Sequence, residues 1–197
     1  SGKTSGITNS ETFAFHPPFA VDPGNGDRVL IGGDRIFETI NAGDNWTAFS
    51  APGEGGWSLS GSVGAIGLAK SDANTIYAAV GRRVYVTTNH GVTWTSHAVA
   101  GAGLPISDLQ VDPDAPEIAY AAINGFDLNG YDSWGYDKNG RDINGSLIPS
   151  LSDQEINKVF EEADGGVVRV ALHADGSYTD EFDAPDGSTS SITTNPD

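Results

Sequence analysis

The sequence predicts an all-β chain of short antiparallel strands, and three observations lead to this prediction. Apolar strand pairs recur along residues 1–123. A turn motif follows the first two pairs, and its two copies lie 48 residues apart. The repeated unit, four short strands in about 40–50 residues, is typical of a β-propeller blade. The sequence therefore predicts about three propeller-like blades, which is too few to complete a ring.

Each predicted blade begins with two apolar strands joined by a tight turn. The three strand pairs are "FAVDPGNGDRVLIGG", "GAIGLAKSDANTIYAAV" and "ISDLQVDPDAPEIAYAAI". Asp22 and Asp112 occupy the same place in two Val-Asp-Pro sequences. Aspartate at the start of a turn ordinarily accepts backbone hydrogen bonds, so we expect both residues to shape turns.

The turn motif joins the third and fourth strands of the first two blades. It has the form Thr-x-Asn-x-Gly-x-x-Trp, in "RIFETINAGDNWTAF" and "RVYVTTNHGVTWTSH". The Thr and Asn side chains can bond the turn backbone, Gly supplies a positive φ, and Trp is expected to return to the core. The motif residues are Thr39, Asn41, Gly43 and Trp46, then Thr87, Asn89, Gly91 and Trp94.

These stretches resemble the Asp-box (BNR) repeats of sialidase-like and xyloglucanase-like β-propellers. The resemblance covers roughly residues 12–123, and residues 17–50 resemble one whole blade of that kind. It implies a propeller fold. It does not select an activity, because Asp boxes occur in hydrolases, receptors and assembly factors alike.

The third blade lacks the motif at the expected place, which suggests that the chain is interrupted there. We expect residues 124–166 to form an insertion, and residues 167–197 to form a terminal β-hairpin and a polar tail. Strands at about 167–172 and 177–183 would then complete the third blade. The alternative is a separate small unit that ends in a plain hairpin.

The insertion opens with a five-residue repeat, "GFDLNGYDSWGYDKNGRDING", whose period matches neither a helix nor a strand. Its aspartates are hard oxygen ligands of the type that Ca²⁺ prefers: Asp127, Asp132, Asp137 and Asp142. The alternative is a turn-rich connector whose aromatic residues pack on a neighbouring subunit or stack on sugar rings: Phe126, Tyr131, Trp134 and Tyr136. One helix is predicted after it, capped by Ser152 and ended by Gly165.

Composition excludes several classes of function. A formal net charge of −17 argues against nucleic acid and anionic membranes as partners. No apolar stretch approaches the ~20 residues of a membrane span. There is no cysteine, so disulfides, thiolate zinc sites and cysteine nucleophiles are excluded. The chain does not begin with Met and shows no charged-then-apolar leader, which is typical of a processed chain or a piece of a longer one.

Few residues suggest catalysis. The resemblance to sialidases implies that catalysis would need three arginines around a carboxylate. The whole chain contains only six arginines, and no Arg-Ile-Pro stretch precedes the blades, so sialidase activity is not expected. A glycosidase needs two acids across the sugar bond, and nothing in the sequence pairs Asp22 with Asp112. The four histidines show no metal-binding spacing, so we expect them, His97 included, at the surface or in turns. Trp57 is a further candidate for an exposed sugar-stacking aromatic.

The sequence leads to a functional hypothesis without an activity. An unclosed set of blades leaves sheet edges and an apolar face that pair readily with another chain. We therefore expect a non-enzymatic structural or adhesive subunit of an extracellular or surface assembly, which self-associates into a filament or larger oligomer. The alternatives are a fragment of a carbohydrate-binding or glycoside-hydrolase propeller, and a receptor-like propeller that binds a protein.

Overall fold

The computed structural model describes residues 2–8, 11–48, 50, 53–57, 61–99, 105–123, 141, 144–146, 166–183 and 189–195. The regular structure in these ranges consists of thirteen strands in three antiparallel sheets. The predicted all-β fold with propeller-like blades is therefore confirmed. The predicted helix, and the aspartates and aromatic residues of the five-residue repeat, lie outside the described residues. In the ranges described, no helix is long and apolar enough to cross a membrane.

The first two sheets each contain four strands in chain order. The first holds β1 (Phe19–Asp22), β2 (Asn25–Gly32), β3 (Ile36–Thr39) and β4 (Thr47–Ala48). The second holds β5 (Ala65–Leu68), β6 (Ile76–Val80), β7 (Arg83–Thr87) and β8 (Thr95–Ala98). This up-and-down order is the one that the repeated strand pairs and turn motifs predict.

The third sheet contains five strands and spans the predicted insertion. Its strands are β9 (Ile106–Val111), β10 (Ile118–Ile123), β11 (Gly166–Leu172), β12 (Tyr178–Asp183) and β13 (Thr189–Thr194), in that spatial order. Strand β11 pairs antiparallel with β10, with Tyr120 opposite Arg169. The polar tail predicted after the hairpin contributes the fifth strand.

Two apolar layers hold the sheets together, because each sheet buries the face that it turns toward its neighbour. Between the first and second sheets, Leu30 and Ile36 pack with Ile76, Tyr85 and Trp94. Between the second and third sheets, the larger layer combines Tyr77, Val84 and Val86 with residues from β9 to β12, among them Leu109, Val170 and Tyr178. The sheets are thus stacked in the order in which the chain makes them.

The described strands do not close into a ring, so the two outer faces of the stack have no neighbouring sheet. The outer face of the first sheet is apolar, since Phe19, Ile31 and Phe37 lie opposite one another across β1, β2 and β3. The outer face of the third sheet is polar. There Arg169 forms an ion pair with Glu181 at 2.9 Å.

Candidate functional site

The first strands of the three sheets converge on one cleft. Strands β1, β5 and β9 line a space of about 370 Å³, which lies in the size range of small-molecule sites. These are the strands that would face the axis of a complete propeller. The lining residues are Phe19, Ala20, Val21, Pro23, Ile66, Gly67, Leu68, Lys70, Asp108, Leu109, Gln110, Val111 and Pro113.

The exposed side chains of the cleft combine an apolar rim with a few polar groups. Phe19 is 70% exposed and Val21 is 51% exposed. On the opposite wall, the Gln110 amide approaches Asp108, with Nε2 at 3.3 Å from Oδ2. An aromatic ring, an amide, a carboxylate and the exposed Lys70 are groups that can stack on and hydrogen-bond a neutral polar ligand such as a sugar. No sequence pattern singled out these residues, because Phe19, Val21, Asp108 and Gln110 lie within ordinary strands and Lys70 lies shortly after one.

Asp22 and Asp112 both shape turns, as their Val-Asp-Pro sequences predict. Asp112 Oδ1 accepts hydrogen bonds from the backbone N–H of Asp114 and Ala115 at 2.9 and 3.1 Å. Asp22 Oδ1 does the same for Gly24 and Asn25, while its Oδ2 accepts a hydrogen bond from Arg28. Neither is presented as a free acid, so the geometry gives no support for a catalytic pair.

Arg28 connects Asp22 to a charged network between the first two sheets. Its Nη1 donates to Asp22 at 2.8 Å and its Nε donates to Glu38 at 2.6 Å. His90 Nε2, from the turn of the second sheet, lies 2.9 Å from the same glutamate. Burial would raise the pKa of Asp22, but the hydrogen bond from Arg28 and those from Gly24 and Asn25 outweigh it and hold the pKa below its usual value.

The two turn motifs form the same hydrogen-bonded structure. Thr39 Oγ1 accepts the N–H of Gly43 at 2.9 Å, and Thr87 Oγ1 accepts that of Gly91 at 2.9 Å. Each threonine also donates to the asparagine of its motif. The chain takes positive φ at each motif glycine and at the residue before it, Ala42 or His90. The motif is therefore a turn-forming device whose Thr and Asn side chains bond within the turn.

The two motif tryptophans differ in their surroundings. Trp94 is buried and packs edge-on against Trp57 with ring centroids 4.8 Å apart. Trp46 is half-buried beneath the N-terminal segment, and its Nε1 donates to the carbonyl of Lys3. Only Trp94 thus occupies an inter-sheet core. Trp57 itself is buried, so the expectation that it is an exposed sugar-stacking residue was wrong.

A second repeated element, which sequence reasoning missed, lies over each motif tryptophan. The backbone N–H of Trp46 donates to Ser5 and that of Trp94 donates to Gly55. In each case a glycine with positive φ follows, Gly6 or Gly56, and a Cβ there would lie within 2.2 Å of the tryptophan carbonyl oxygen. A lone glycine was the only sequence signal, and glycine is abundant throughout the chain.

His97 is buried, which corrects the expectation that every histidine lies at the surface or in a turn. Its Nε2 lies 2.9 Å from Asp180 Oδ1, and its ring stacks on Tyr178 at a centroid distance of 3.9 Å. The Tyr178 hydroxyl contacts Thr95 Oγ1. Burial raises the pKa of Tyr178, although the hydrogen bond with Thr95 opposes the shift. The four residues join β8 to β12, and so fasten the third sheet to the second.

The predicted calcium ligands, Asp127, Asp132, Asp137 and Asp142, and the predicted stacking or interface aromatics, Phe126, Tyr131, Trp134 and Tyr136, lie outside the described residues. Within the described part of the chain, no group of three or more His, Asp or Glu side chains is placed to hold a metal ion.

Comparison with known proteins gives a distant likeness to a solved structure. No protein-family model matches the chain, and no curated protein matches it. Among solved structures, the chain is similar to the crystal structure of an ancestral GH74 enzyme, with a TM-score of 0.36 and 14% sequence identity. The match covers 97% of this chain and 34% of that one, so the chain spans about a third of that structure's length.

Proposed function

We propose that the chain is a non-enzymatic structural or adhesive subunit of an extracellular or surface assembly, and that it self-associates into a filament or larger oligomer. The observation that carries this proposal is the open apolar face of the first sheet. A blade in a closed propeller packs both faces against neighbours, whereas this face has no neighbouring sheet among the described residues.

The open face presents apolar side chains in two rows across the sheet. One row runs from Phe19 through Ile31 to Phe37, and the other runs from Val21 through Val29. Phe37 is covered by Phe13 at a centroid distance of 5.8 Å, but Phe19 and Val21 remain largely exposed. Phe15, in the segment leading to β1, is 94% exposed. Clustered exposed apolar side chains, on a chain with a formal net charge of −17, are typical of an interaction surface.

The other end of the stack supports an assembly that does not close. Its outer face carries Tyr120, the Arg169–Glu181 ion pair and exposed hydroxyls, and so differs chemically from the apolar end. Two different end faces favour a head-to-tail contact between copies over a two-fold contact between like faces. Head-to-tail contacts produce rings when the rotation closes and filaments when it does not.

The acidic residues that could suggest catalysis serve the fold instead. The Asp22 carboxylate accepts hydrogen bonds from Arg28 and from the backbone of its turn, and the Asp112 carboxylate accepts hydrogen bonds from the backbone of its own turn. Asp180 is buried against His97. These contacts favour a non-enzymatic role.

The proposal is tested by asking whether self-association requires the apolar side chains of the open face. We expect the purified chain to grow in mass with concentration in light scattering, and to form filaments or rings in negative-stain electron microscopy. The double variant Phe19→Ser and Val21→Ser should remove the growth. The matched control Val92→Ser, at a side chain 72% exposed on the turn of the second sheet, should leave it unchanged. A monodisperse monomer at high concentration would contradict the proposal.

The same experiment tests the proposed calcium site. The four aspartates of the five-residue repeat are proposed to bind Ca²⁺ and to order this segment within the assembly. Loss of filaments in EDTA, with recovery on adding CaCl₂ but not MgCl₂, is the expected result. Assembly that is indifferent to EDTA would remove calcium from the proposal and leave self-association standing.

A second candidate function, binding of a polysaccharide, is favoured by the cleft between β1, β5 and β9. Phe19 supplies an exposed ring, and Gln110 and Asp108 supply polar groups on the opposite wall. Affinity electrophoresis in gels containing xyloglucan would test it, with release of reducing sugar measured in parallel. Retardation that Gln110→Ala weakens would support binding, and release of sugar would overturn the non-enzymatic assignment.

A further inference from the structure

The free edge of β13 is unusual among the sheet edges of the described chain. The strand has six residues, "TSSITT", and pairs with β12 in unbroken register from Tyr178 opposite Thr194 to Asp183 opposite Thr189. It contains no charge, proline or glycine, in a chain with a formal net charge of −17. A regular edge strand of this kind presents unpaired backbone N–H and C=O groups that readily accept another strand.

The other sheet edges each carry a feature that discourages pairing. Strands β4 and β8, at the outer edges, have only two and four residues. Strand β1 has an irregular register at Val21 and Asp22, and Pro23 follows it. Strand β5 has four residues, and β9 carries the charged Asp108 and is followed by Asp112 and Pro113. Short length, irregularity, charge and proline are the means by which natural sheets protect their edges.

We propose that β13 pairs antiparallel with β13 of a second copy, about a two-fold axis that passes through Ile192. Directly opposite residues of an antiparallel pair point to the same face of the sheet. A two-fold axis at Ile192 satisfies this rule and pairs residues 190–194 with the same residues of the partner. Ser191 then lies opposite the partner's Thr193, Ser190 lies opposite the partner's Thr194, and two five-stranded sheets become one of ten strands.

The side chains of β13 suit a partner with the same sequence. Ile192, which is 43% exposed, would be covered by the partner's Ile192. On the opposite face, a row of polar groups already runs from His173 to Thr179 at 2.7 Å and from Thr179 to Thr193 at 2.9 Å. The partner's Ser191 would extend this row by one hydroxyl. Cross-strand pairs of Ser and Thr are among those that stabilise a sheet.

The effect of salt distinguishes a second copy of this chain from the main alternative partner, a basic strand of another protein. Glu181 lies on β12 directly beside Ser191, and each copy carries a large negative charge. Two copies repel, so added salt should strengthen their pairing by screening. A basic partner would be attracted to the same edge, and added salt would weaken its binding.

This inference names one contact within the self-association proposed above, but it depends on a different part of the molecule. The proposed head-to-tail contact uses the open face of the first sheet, whereas this pairing uses the far edge of the third. Combined, they would produce a filament whose repeating unit is a two-fold dimer. Either contact can fail while the other holds.

The absence of cysteine makes single-thiol variants a direct test of the axis. In the Ile192→Cys variant, a short bis-methanethiosulfonate cross-linker, which forms a disulfide with each thiol and releases sulfinate, should join two chains rapidly, since opposite Cβ atoms lie roughly 5 Å apart. The control Val92→Cys replaces a more exposed β-branched side chain away from the edge and should cross-link only at the rate of random collisions. Equal cross-linking of the two variants would overturn the proposal.

A second measurement does not depend on cross-linking. Sedimentation of the Ile192→Lys variant should show a dimer dissociation constant raised by roughly tenfold or more, because a lysine on the edge opposes pairing. Circular dichroism would verify that the variant is folded, and raising NaCl should lower the constant of the unmodified chain. Dimers that persist in Ile192→Lys but are lost in the double variant Phe19→Ser and Val21→Ser would support the proposed function and contradict the edge pairing. If the unmodified chain forms dimers but no larger assembly, and Ile192→Lys loses these dimers, the edge pairing would be supported and the proposed function contradicted.

Discussion

At the scale of single residues, Arg28 shows how this chain uses its few cations. The guanidinium is buried between Asp22 and Glu38, so two carboxylates share one positive charge. Its Nη2 is buried and has no hydrogen-bond partner among the described residues. Removing one of the two carboxylates takes a charge-assisted hydrogen bond from the buried guanidinium and leaves it with one ion-pair partner.

The Asp22→Asn variant keeps Arg28 paired with Glu38 but loses a charge-assisted contact, so its unfolding free energy should fall by about 1.5–3 kcal/mol at neutral pH. The pKa of Asp22 is lowered by folding, so the ionised form contributes stability above the usual value of 3.8, and this is lost as pH falls through the lowered pKa. The difference between the two proteins, measured by urea denaturation, should shrink below about pH 4. Asp44→Asn, in the exposed ion pair with Lys3, is the control and should change little. A difference that is constant with pH would contradict this account.

At the scale of elements, the turn motif is the best-determined unit of the chain. Both copies place a buried threonine hydroxyl where it accepts the motif glycine's N–H, and both place a glycine at positive φ. The side chains act over four residues and need no distant partner. Such local determination is why the motif was visible in the sequence as a turn.

Thr87→Val keeps the shape of the side chain but removes the hydroxyl that accepts from Gly91 and Asn89. Two N–H groups lose their partner, so we expect a loss of about 1–3 kcal/mol in unfolding free energy. Thr87→Ser retains the hydroxyl and should lose distinctly less. Thermal and urea unfolding of the two variants would measure the gap, and equal losses would mean that packing of the methyl group, not the turn, decides the stability.

The limits of sequence reasoning also appear at this scale. Strand β13 has no alternation of apolar and polar residues, because most of its side chains are exposed and it has no apolar face to bury. Its only signal was the strand preference of Thr and Ile, which is weak beside the polar composition of the tail. The carbonyl contacts of Ser5 and Gly55 involve backbone alone and leave no side-chain pattern.

At the scale of the whole molecule, the sequence predicted the class of fold and the stacking of its first two blades, since both follow from local repeats. The contacts between sheets were less accessible. The cleft residues Phe19, Lys70 and Gln110 come together only when three strands far apart in the chain converge. His97 and Asp180 are separated by 83 residues, and a lone histidine in a polar strand gives no sign of its partner.

The contact between His97 and Asp180 should stabilise the packing of the third sheet against the second. It lies in a dry layer beside the stacked Tyr178, and it joins β8 to a strand that follows the predicted insertion. Asp180→Ala would leave the histidine without its partner and should cost about 3 kcal/mol, whereas the double variant His97→Leu and Asp180→Leu should recover most of that loss.

Hydrogen exchange would show where the loss acts. In Asp180→Ala, amide exchange should accelerate in β11 and β12 while the first sheet keeps its protection, because the pair binds only the third sheet to the second. The double variant should restore protection to β11 and β12, since an apolar pair can fill the same layer without a buried charge. Uniform acceleration across all three sheets would mean that the stack unfolds as one cooperative unit, and that no single contact governs the attachment of its last blade.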